Sequence, residues 1–254
     1  MKNNTVKQAL AEGRVQLGCS FGQLRSVDVV RVLAAAGFDW AFIDTEHGGF
    51  DFSTVQDVCR MSLYAGLCAV VRVADLEYSL VARSLDVGAQ GVMFPRVESP
   101  ELLEKAVSWT KFPPVGIRGY GLTPIHVDHA KATLPEIIAH HNANTLVVLQ
   151  IETVRGVEMR DEILSVPGID AVMIGPADLS ISLGVPGEFE HPKMIKAMEQ
   201  IRDTCVARGI APGTQTRTLS LAKFWKERGM RFLGCSSEAG MLLERGSEVV
   251  RALR

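Results

Sequence analysis

Gly168-Ile169-Asp170-Ala171-Val172-Met173-Ile174-Gly175-Pro176-Ala177-Asp178 decides the fold class of this chain. It opens on a glycine, the residue that takes the left-handed turn past a helix without a Cβ penalty. Four apolar residues then follow with no polar alternation. A strand reads that way when both of its faces are covered, as in a parallel sheet. Polar residues come only after the run, at its carboxyl end. The pattern recurs along the chain. Gly13, Gly37, Gly66, Gly88, Gly209 and Gly229 each close a helix-like stretch and precede a short apolar run, whereas Gly168 is reached through Val166-Pro167. An eighth run follows Asn144, and asparagine is the second choice for the left-handed conformation. The eight runs predict strands over residues 15–20, 40–43, 69–72, 92–94, 146–151, 171–174, 210–212 and 231–235. Helical spacing fills the intervals. Met194, Met198, Ile201 and Cys205 follow i, i+4, i+7, i+11, and Leu102, Ala106 and Trp109 follow i, i+4, i+7. Ser99-Pro100-Glu101 places a cap, a first-turn proline and a first-turn acid in order, and Ser53 and Gln56 have capping-box spacing. Eight strands alternating with helices predict an α/β fold of the (β/α)8 TIM-barrel type, occupying residues 1–254 as one domain. A doubly wound sheet usually has fewer strands. Residues 111–143 form an insertion between strands 4 and 5, and residues 179–192 a shorter one; barrels carry such elaborations near the active face.

The composition agrees. A chain of 254 residues with 47% apolar content has enough material for one large core, and barrels often run about 200–250 residues. Lys plus Arg is 27 and Asp plus Glu is 29, a formal charge of −2. That balance gives no support for a nucleic-acid surface or a polybasic membrane patch, while one local arginine or metal suffices for a small anionic substrate. The five cysteines, Cys19, Cys59, Cys68, Cys205 and Cys235, are odd in number and form no C-x-x-C pair. They read as free thiols in a reducing compartment. Residues 1–13 are polar, without the apolar core of a signal peptide, and no apolar stretch approaches the roughly 18 residues of a membrane span. The expectation is a cytoplasmic protein.

In a barrel the chemistry sits at the carboxyl ends of the strands, and four ends here are unusual. The second strand runs into Asp44-Thr45-Glu46-His47-Gly48-Gly49, the third ends at Arg72, the fifth at Gln150-Ile151-Glu152 and the sixth at Gly175-Pro176-Ala177-Asp178. Glu152 and Asp178 end adjacent strands, one βα unit apart. Two carboxylates converging on one point favour a cation, and few protein ligands with open positions suit Mg2+ or Mn2+. For either residue alone a structural reading stands beside this one, with Asp178 capping the next helix and Glu152 pairing with Arg155; for the pair in a barrel, metal is favoured. Arg72 could hold a carboxylate or a developing enolate, form a salt bridge to Asp44 or Glu46, or do both. His47, in a glycine-rich loop among acids, is a candidate acid/base group or a surface histidine. His126, His129, His140, His141 and His191 fall in the insertions. His126 and His129 lack the carboxylate of a zinc motif and read as solvated helix residues. Gly116–Gly121 lacks the Lys-Ser/Thr pair of a P-loop, and Gly213-Thr214-Gln215-Thr216 after strand seven reads as a loop or a pocket wall. No lysine sits at a predicted strand end, which disfavours a Schiff-base aldolase.

Taken together, Asp39-Trp40-Ala41-Phe42-Ile43-Asp44-Thr45-Glu46-His47, Leu85-Asp86-Val87-Gly88-Ala89-Gln90, Gly116-Ile117-Arg118-Gly119, Gln150-Ile151-Glu152-Thr153 and Gly175-Pro176-Ala177-Asp178-Leu179-Ser180 resemble the HpcH/HpaI aldolases, over nearly the whole chain and in order. These are metal-dependent pyruvate aldolases such as 4-hydroxy-2-oxoheptanedioate and 2-keto-3-deoxy-L-rhamnonate aldolase. The resemblance implies a barrel of the phosphoenolpyruvate/pyruvate-domain type. It also implies reversible cleavage of a 4-hydroxy-2-oxo acid to pyruvate and an aldehyde through a metal-stabilised pyruvate enolate. Glu152 and Asp178 would bind the divalent metal, Mg2+ or Mn2+, with Co2+ and Zn2+ as further candidates. Gln150, Asp44 and the backbone at Ala177 and Asp178 would bind substrate, Arg72 would stabilise the enolate, and His47 would be the acid/base residue. Asp86, which falls in a helix, matches the acid that raises this histidine's basicity and in the family can come from a neighbouring subunit. A homohexamer is implied, with residues 241–253 as the helix that packs across subunits. Two stretches depart from the family: Tyr120-Gly121-Leu122-Thr123-Pro124-Ile125-His126 stands where relatives that take dicarboxylic substrates usually have small residues and an Ala-Arg-Ala stretch, and Thr214-Gln215-Thr216 where many relatives have an aliphatic residue after strand seven. Both lie on the aldehyde side. Other users of the same enolate are an oxaloacetate decarboxylase and a citrate-lyase-like acyl-CoA lyase; a non-enzymatic small-acid binding protein is a third alternative.

Overall fold

The computed structural model describes residues 1–122 and 127–254. In chain order the elements are α1 (Thr5–Ala11), β1 (Gln16–Phe21), α2 (Val27–Ala35), β2 (Trp40–Asp44), α3 (Phe52–Ala65), β3 (Cys68–Arg72), α4 (Tyr78–Asp86), β4 (Gly91–Phe94), α5 (Pro100–Ser108), α6 (Leu134–Asn144), β5 (Leu146–Ile151), α7 (Val154–Glu158), α8 (Arg160–Ile163), β6 (Ala171–Ile174), α9 (Pro176–Ser182), α10 (Pro192–Ala207), β7 (Ala211–Thr216), α11 (Leu219–Glu227), β8 (Phe232–Ser237) and α12 (Glu238–Leu253). The eight strands pair in sequence, all parallel, and β8 returns to β1 to close the barrel.

All seven glycine stops have positive φ, from 71° at Gly209 to 110° at Gly88, the region where only glycine avoids a Cβ clash. Asn144 does something else. It is the last residue of α6, and its side chain accepts the Asn4 N–H at 2.9 Å and donates to the His140 carbonyl, tying the amino-terminal arm to the helix. Ser99 caps α5 as expected, accepting the Leu102 N–H. The cap of α3 is Asp51, which accepts the Thr54 N–H at 2.8 Å, so Ser53 and Gln56 lie inside the helix. Met194, Met198, Ile201 and Cys205 are buried along α10. Of the predicted face of α5, Ala106 and Trp109 are buried, whereas Leu102 is exposed and Leu103 takes its place. The seventh strand extends through Gly213–Thr216, and this stretch is strand rather than loop.

One buried cluster fills the barrel. Trp40 and Phe42 of β2, Cys68 and Val70 of β3, Leu146 and Val148 of β5, Ala171 and Met173 of β6, Ala211 and Phe232 meet at the axis, and Val6 and Leu10 of α1 close its amino end. These strands contribute every second residue, the two-residue period of a pleated chain. The intervening residues, such as Ile43, Val71, Leu149 and Val172, face the helices in two outer clusters. Both faces of β2 to β6 are therefore apolar, which is why those runs do not alternate in sequence, whereas β1 sends Cys19 and Phe21 to the helices and turns Gln16, Gly18 and Ser20 inward.

Candidate active site

Carrying the inward alternation two residues further up each strand leads from core to site. Phe42 gives Asp44, Val70 gives Arg72, Val148 gives Gln150 and then Glu152, and Met173 gives Gly175. The ladders level these positions: Asp44 is in register with Arg72, and Ile151 with Ile174, which sets Glu152 beside Gly175. The groups open into a cleft of about 770 Å³ lined by Phe42, Arg72, Gln150, Gly175, Ala177 and Asp178 on one side and by residues of β7 and α11 on the other. A second cleft, of about 860 Å³, lies at the amino end of the barrel near Gln90 and His140 and shares none of these groups.

Arg72 is the hub. It is 7% exposed, and its Nε and Nη2 donate to Asp44 Oδ1 and Oδ2 at 3.0 and 2.8 Å. Its Nη1 faces Glu46 Oε2 at 3.1 Å and donates to Gln150 Oε1 at 3.3 Å. The fork is held flat by two-point contact with one carboxylate. Burial pushes the Asp44 carboxyl up, but the hydrogen bonds and charge of Arg72 and the His47 and Glu46 amides hold it below the usual carboxylate range. Asp44 thus has both oxygens engaged inside the chain, and it orients Arg72 where the sequence suggested contact with substrate. Glu46 is a site group that sequence reasoning used only as a candidate partner. Its side chain is buried between Arg72 and Arg96, whose Nη2 lies 3.1 Å from Oε1.

Arg96 was not foreseen at all. It follows Phe94-Pro95 at the end of β4 with φ of 45°, a left-handed conformation that is costly outside glycine, and no feature of the sequence signals it. Its N–H donates to Glu152 Oε1 at 3.1 Å, while Gln150 Nε2 donates to Oε2 at 2.5 Å. Glu152 does not meet Arg155, which pairs loosely with Glu98. Nor does Asp178 cap α9: the cap position is Gly175, without a side-chain bond, and Asp178 lies in the first turn.

Burial, and next the charge of Asp178, push the Glu152 carboxyl up to about 7. Against Arg72, Arg96 and Arg217, the four carboxyls of Asp44, Glu46, Glu152 and Asp178 leave one more acid than base around the cleft, an excess that favours a cation. Among the described residues no group of three or more His, Cys, Asp or Glu side chains could hold a metal. A cation here would have two protein carboxylates and take the rest of its shell from water or substrate, the habit of Mg2+. The donor set therefore fits a hard divalent ion. Gly175 is part of the same construction, since a Cβ there would stand 2.3 Å from Glu152 Oε2 and 2.8 Å from Gln150 Nε2.

His47 stands at the rim. Its side chain is 67% exposed, with Nε2 3.8 Å from Glu46 Oε1, and its N–H donates to Asp44 Oδ1. Asp86 is not brought to the cleft within one chain. It ends α4, which runs back from the carboxyl end of β3, and its Oδ1 accepts from Arg118 Nη2 at 2.6 Å. The glycine-rich stretch 116–121 serves this packing: a Cβ on Gly116 would meet the Ser108 and Lys111 carbonyls at 2.3 and 2.4 Å, and Arg118 is buried. Of the other histidines, His191 caps α10, His140 and His141 lie in α6, His129 sits in a turn with positive φ and not in a helix, and His126 lies outside the described residues. No lysine lines the cleft. Lys111, buried and bonded to the Asn142 and Thr145 carbonyls, sits at the amino end of β5.

Comparison with known proteins points to one family and one fold. The family model for HpcH/HpaI aldolase/citrate lyase matches residues 19–242. A 5-keto-4-deoxy-D-glucarate aldolase of Shigella sonnei is 34% identical over 238 residues, 94% of this chain and 92% of the relative. The crystal structure of an HpcH/HpaI aldolase from Desulfitobacterium hafniense superposes with a TM-score of 0.92 at 32% identity, covering 97% of this chain and 95% of the other. A family member from Burkholderia cenocepacia gives 0.91 at 32% identity, with 99% of each chain covered. The sequence resemblance, the closed eight-stranded barrel and these matches agree: the chain belongs to the HpcH/HpaI aldolase/citrate lyase family and is a carbon–carbon lyase of the aldolase type.

Proposed function

We propose that this enzyme reversibly cleaves a 4-hydroxy-2-oxo acid into pyruvate and an aldehyde, with one Mg2+ or Mn2+ held by Glu152 and Asp178. The observation that carries the reading is the buried Glu152 carboxyl, raised by desolvation and by Asp178 at a site with more carboxyls than cationic side chains. When bound, the cation supplies Lewis-acid polarisation of the substrate's 2-oxo group. The chain's own residues do the rest. Gln150 and the free N–H groups at Ala177 and Asp178, in the first turn of α9, hold the pyruvyl end. Arg72, fixed by Asp44 and Glu46, offers preorganised positive charge where negative charge collects as the bond between C3 and C4 breaks. His47, at the rim, takes the proton of the 4-hydroxyl group as the aldehyde forms, the enolate left behind gains a proton at C3 to become pyruvate, and the return path reverses both transfers.

Exhaustive chelation followed by readdition of Mg2+ or Mn2+ tests the reading: activity should vanish and return, and full activity in the chelated enzyme would reject it. Direct Mn2+ binding, followed by its paramagnetic effect on water protons, should be lost in Glu152→Gln. Comparing carbon dioxide with aldehyde as product separates the aldolase from a decarboxylase.

A homohexamer accounts for two further features. Leu242, Leu243 and Val250 stand exposed on α12 along a groove with Leu24, and Asp86 lies at the end of α4 away from its own cleft. A neighbouring subunit would cover the first and receive the second, where Asp86 would support His47. Leu242→Asp should release smaller species in sedimentation velocity. Among the described residues no helix is long and apolar enough to cross a membrane; with four of five free thiols buried, we assign the enzyme to the reducing cytoplasm.

A further inference from the structure

One cation on the wall of the cleft has no counter-charge among the described residues. Ala211 of β7 faces the barrel axis, so the two-residue period turns Gly213, Gln215 and then Arg217 the same way. Arg217 lines the cleft together with Arg72, Gln150 and Asp178. The polar groups beside it are occupied. Thr214 Oγ1 donates to the Ile174 carbonyl, Thr216 Oγ1 to the Gly234 carbonyl and Gln215 Nε2 to the Ser236 carbonyl. Arg72 is committed to Asp44, Glu46 and Gln150. Among the described residues no hydrogen bond or ion pair engages the Arg217 guanidinium, whose five donors remain for a ligand. The wall below it is apolar, formed by Leu221 and Trp225.

The placement suits the far end of a substrate. Ile174 is in register with Thr214, which levels Gly175 with Gln215 and sets Arg217 two residues higher. With strands spaced about 4.8 Å apart and a rise of about 3.3 Å per residue, the Arg217 Cα lies on the order of 12 Å from that of Glu152. Side chains reaching inward from both leave room for a short carbon chain between them.

Resting on the aldolase reading above, we infer that Arg217 binds a terminal anionic group, carboxylate or phosphate, on the aldehyde half, so that the substrate is charged at both ends. A guanidinium fork matches either anion with two parallel hydrogen bonds. Arg217 directly follows strand seven, next to the Thr214-Gln215-Thr216 stretch where this chain departs from many relatives.

The test compares condensation of pyruvate with succinic semialdehyde, with glyceraldehyde 3-phosphate and with neutral butanal, in metal-loaded wild type, Arg217→Gln and Arg217→Lys. Exchange of the pyruvate methyl protons into D2O is recorded on the same preparations. Wild type should favour a charged aldehyde over butanal. Arg217→Gln should lower kcat/KM for that aldehyde about 10- to 100-fold more than for butanal, with the loss carried in KM, and Arg217→Lys should recover part of it. Which charged aldehyde responds tells carboxylate from phosphate. Equal losses on charged and neutral aldehydes, or a wild type that favours butanal, would overturn the assignment while methyl-proton exchange leaves the aldolase reading standing. Absence of that exchange in wild type would remove both.

Discussion

Gly175→Ala isolates the position of the Glu152 carboxylate from its chemistry. Gly175 has φ of −87° and ψ of 94°, so alanine fits the backbone and the perturbation is steric. Its Cβ would stand 2.3 Å from Glu152 Oε2, about 1.1 Å inside the 3.4 Å at which ordinary contact begins, and 2.9 Å from Glu152 Cβ. Rotating the carboxylate away is not enough. Gln150 Nε2 is also 2.8 Å from the new atom, and Glu152 is pinned on its other side by the Arg96 N–H. The carboxylate must therefore shift by about an ångström, together with its partner amide. A displacement of that size from the productive geometry costs about 10²-fold in rate. Overpacking at one site costs about 1–3 kcal/mol, a fall of several degrees in Tm for a chain this long, so the variant should fold. The assay is kcat/KM for aldol cleavage at saturating Mn2+, paired with the Mn2+ Kd. Rate should fall about 10²-fold and affinity should weaken, with a cooperative melt retained. Wild-type affinity and rate in a folded Gly175→Ala protein would refute the claim that this carboxylate is held in place for the metal.

Three further outcomes follow from the same geometry. Arg72→Ala should lower turnover about 10²- to 10³-fold with Mn2+ still bound, and near-normal turnover would remove Arg72 from the mechanism. Burial pushes the Cys19 and Cys68 thiols up to about 12 and those of Cys59 and Cys205 higher still. Titration with an aromatic disulfide should accordingly find at most one fast thiol, Cys235, in the native enzyme and five in denaturant; two or more fast native thiols would contradict the packing. Lys111 is lowered from 10.5 to about 8 by burial and then by the charge of Lys7. Between those values the unfolded chain binds more protons than the folded one, so the contribution of Lys111 to stability rises with pH across the window and is lost as pH falls through 8. Stability relative to Lys111→Met, from urea unfolding at pH 8 and pH 10, should therefore increase with pH, and a flat difference would show that Lys111 titrates normally.

The site was legible where one short segment carries it. Asp44, Arg72, Gln150, Glu152 and Asp178 were found because barrel chemistry gathers at strand ends, and each follows a recognisable apolar run. Asp86 came only through resemblance, since a residue in the last turn of a helix gives no local signal. Glu46 stood in view inside its motif, but its burial between two arginines depends on β3 and β4. Arg96 and Arg217 were silent: one is defined by a left-handed backbone angle, the other by the absence of a counter-ion.

The sequence by itself determined the count of βα units, because seven of the eight apolar runs follow a glycine that takes the left-handed turn past a helix, and it determined that the strands lie parallel, because only a strand covered on both faces can be apolar without alternation. Tertiary structure decided the rest. Which residue caps α3 and how far β7 runs depend on neighbours many residues away. The excess of carboxyls around the cleft is likewise a property of the closed barrel. It arises when the ends of five strands distant in sequence, β2 to β6, are brought together where water screens their charges less.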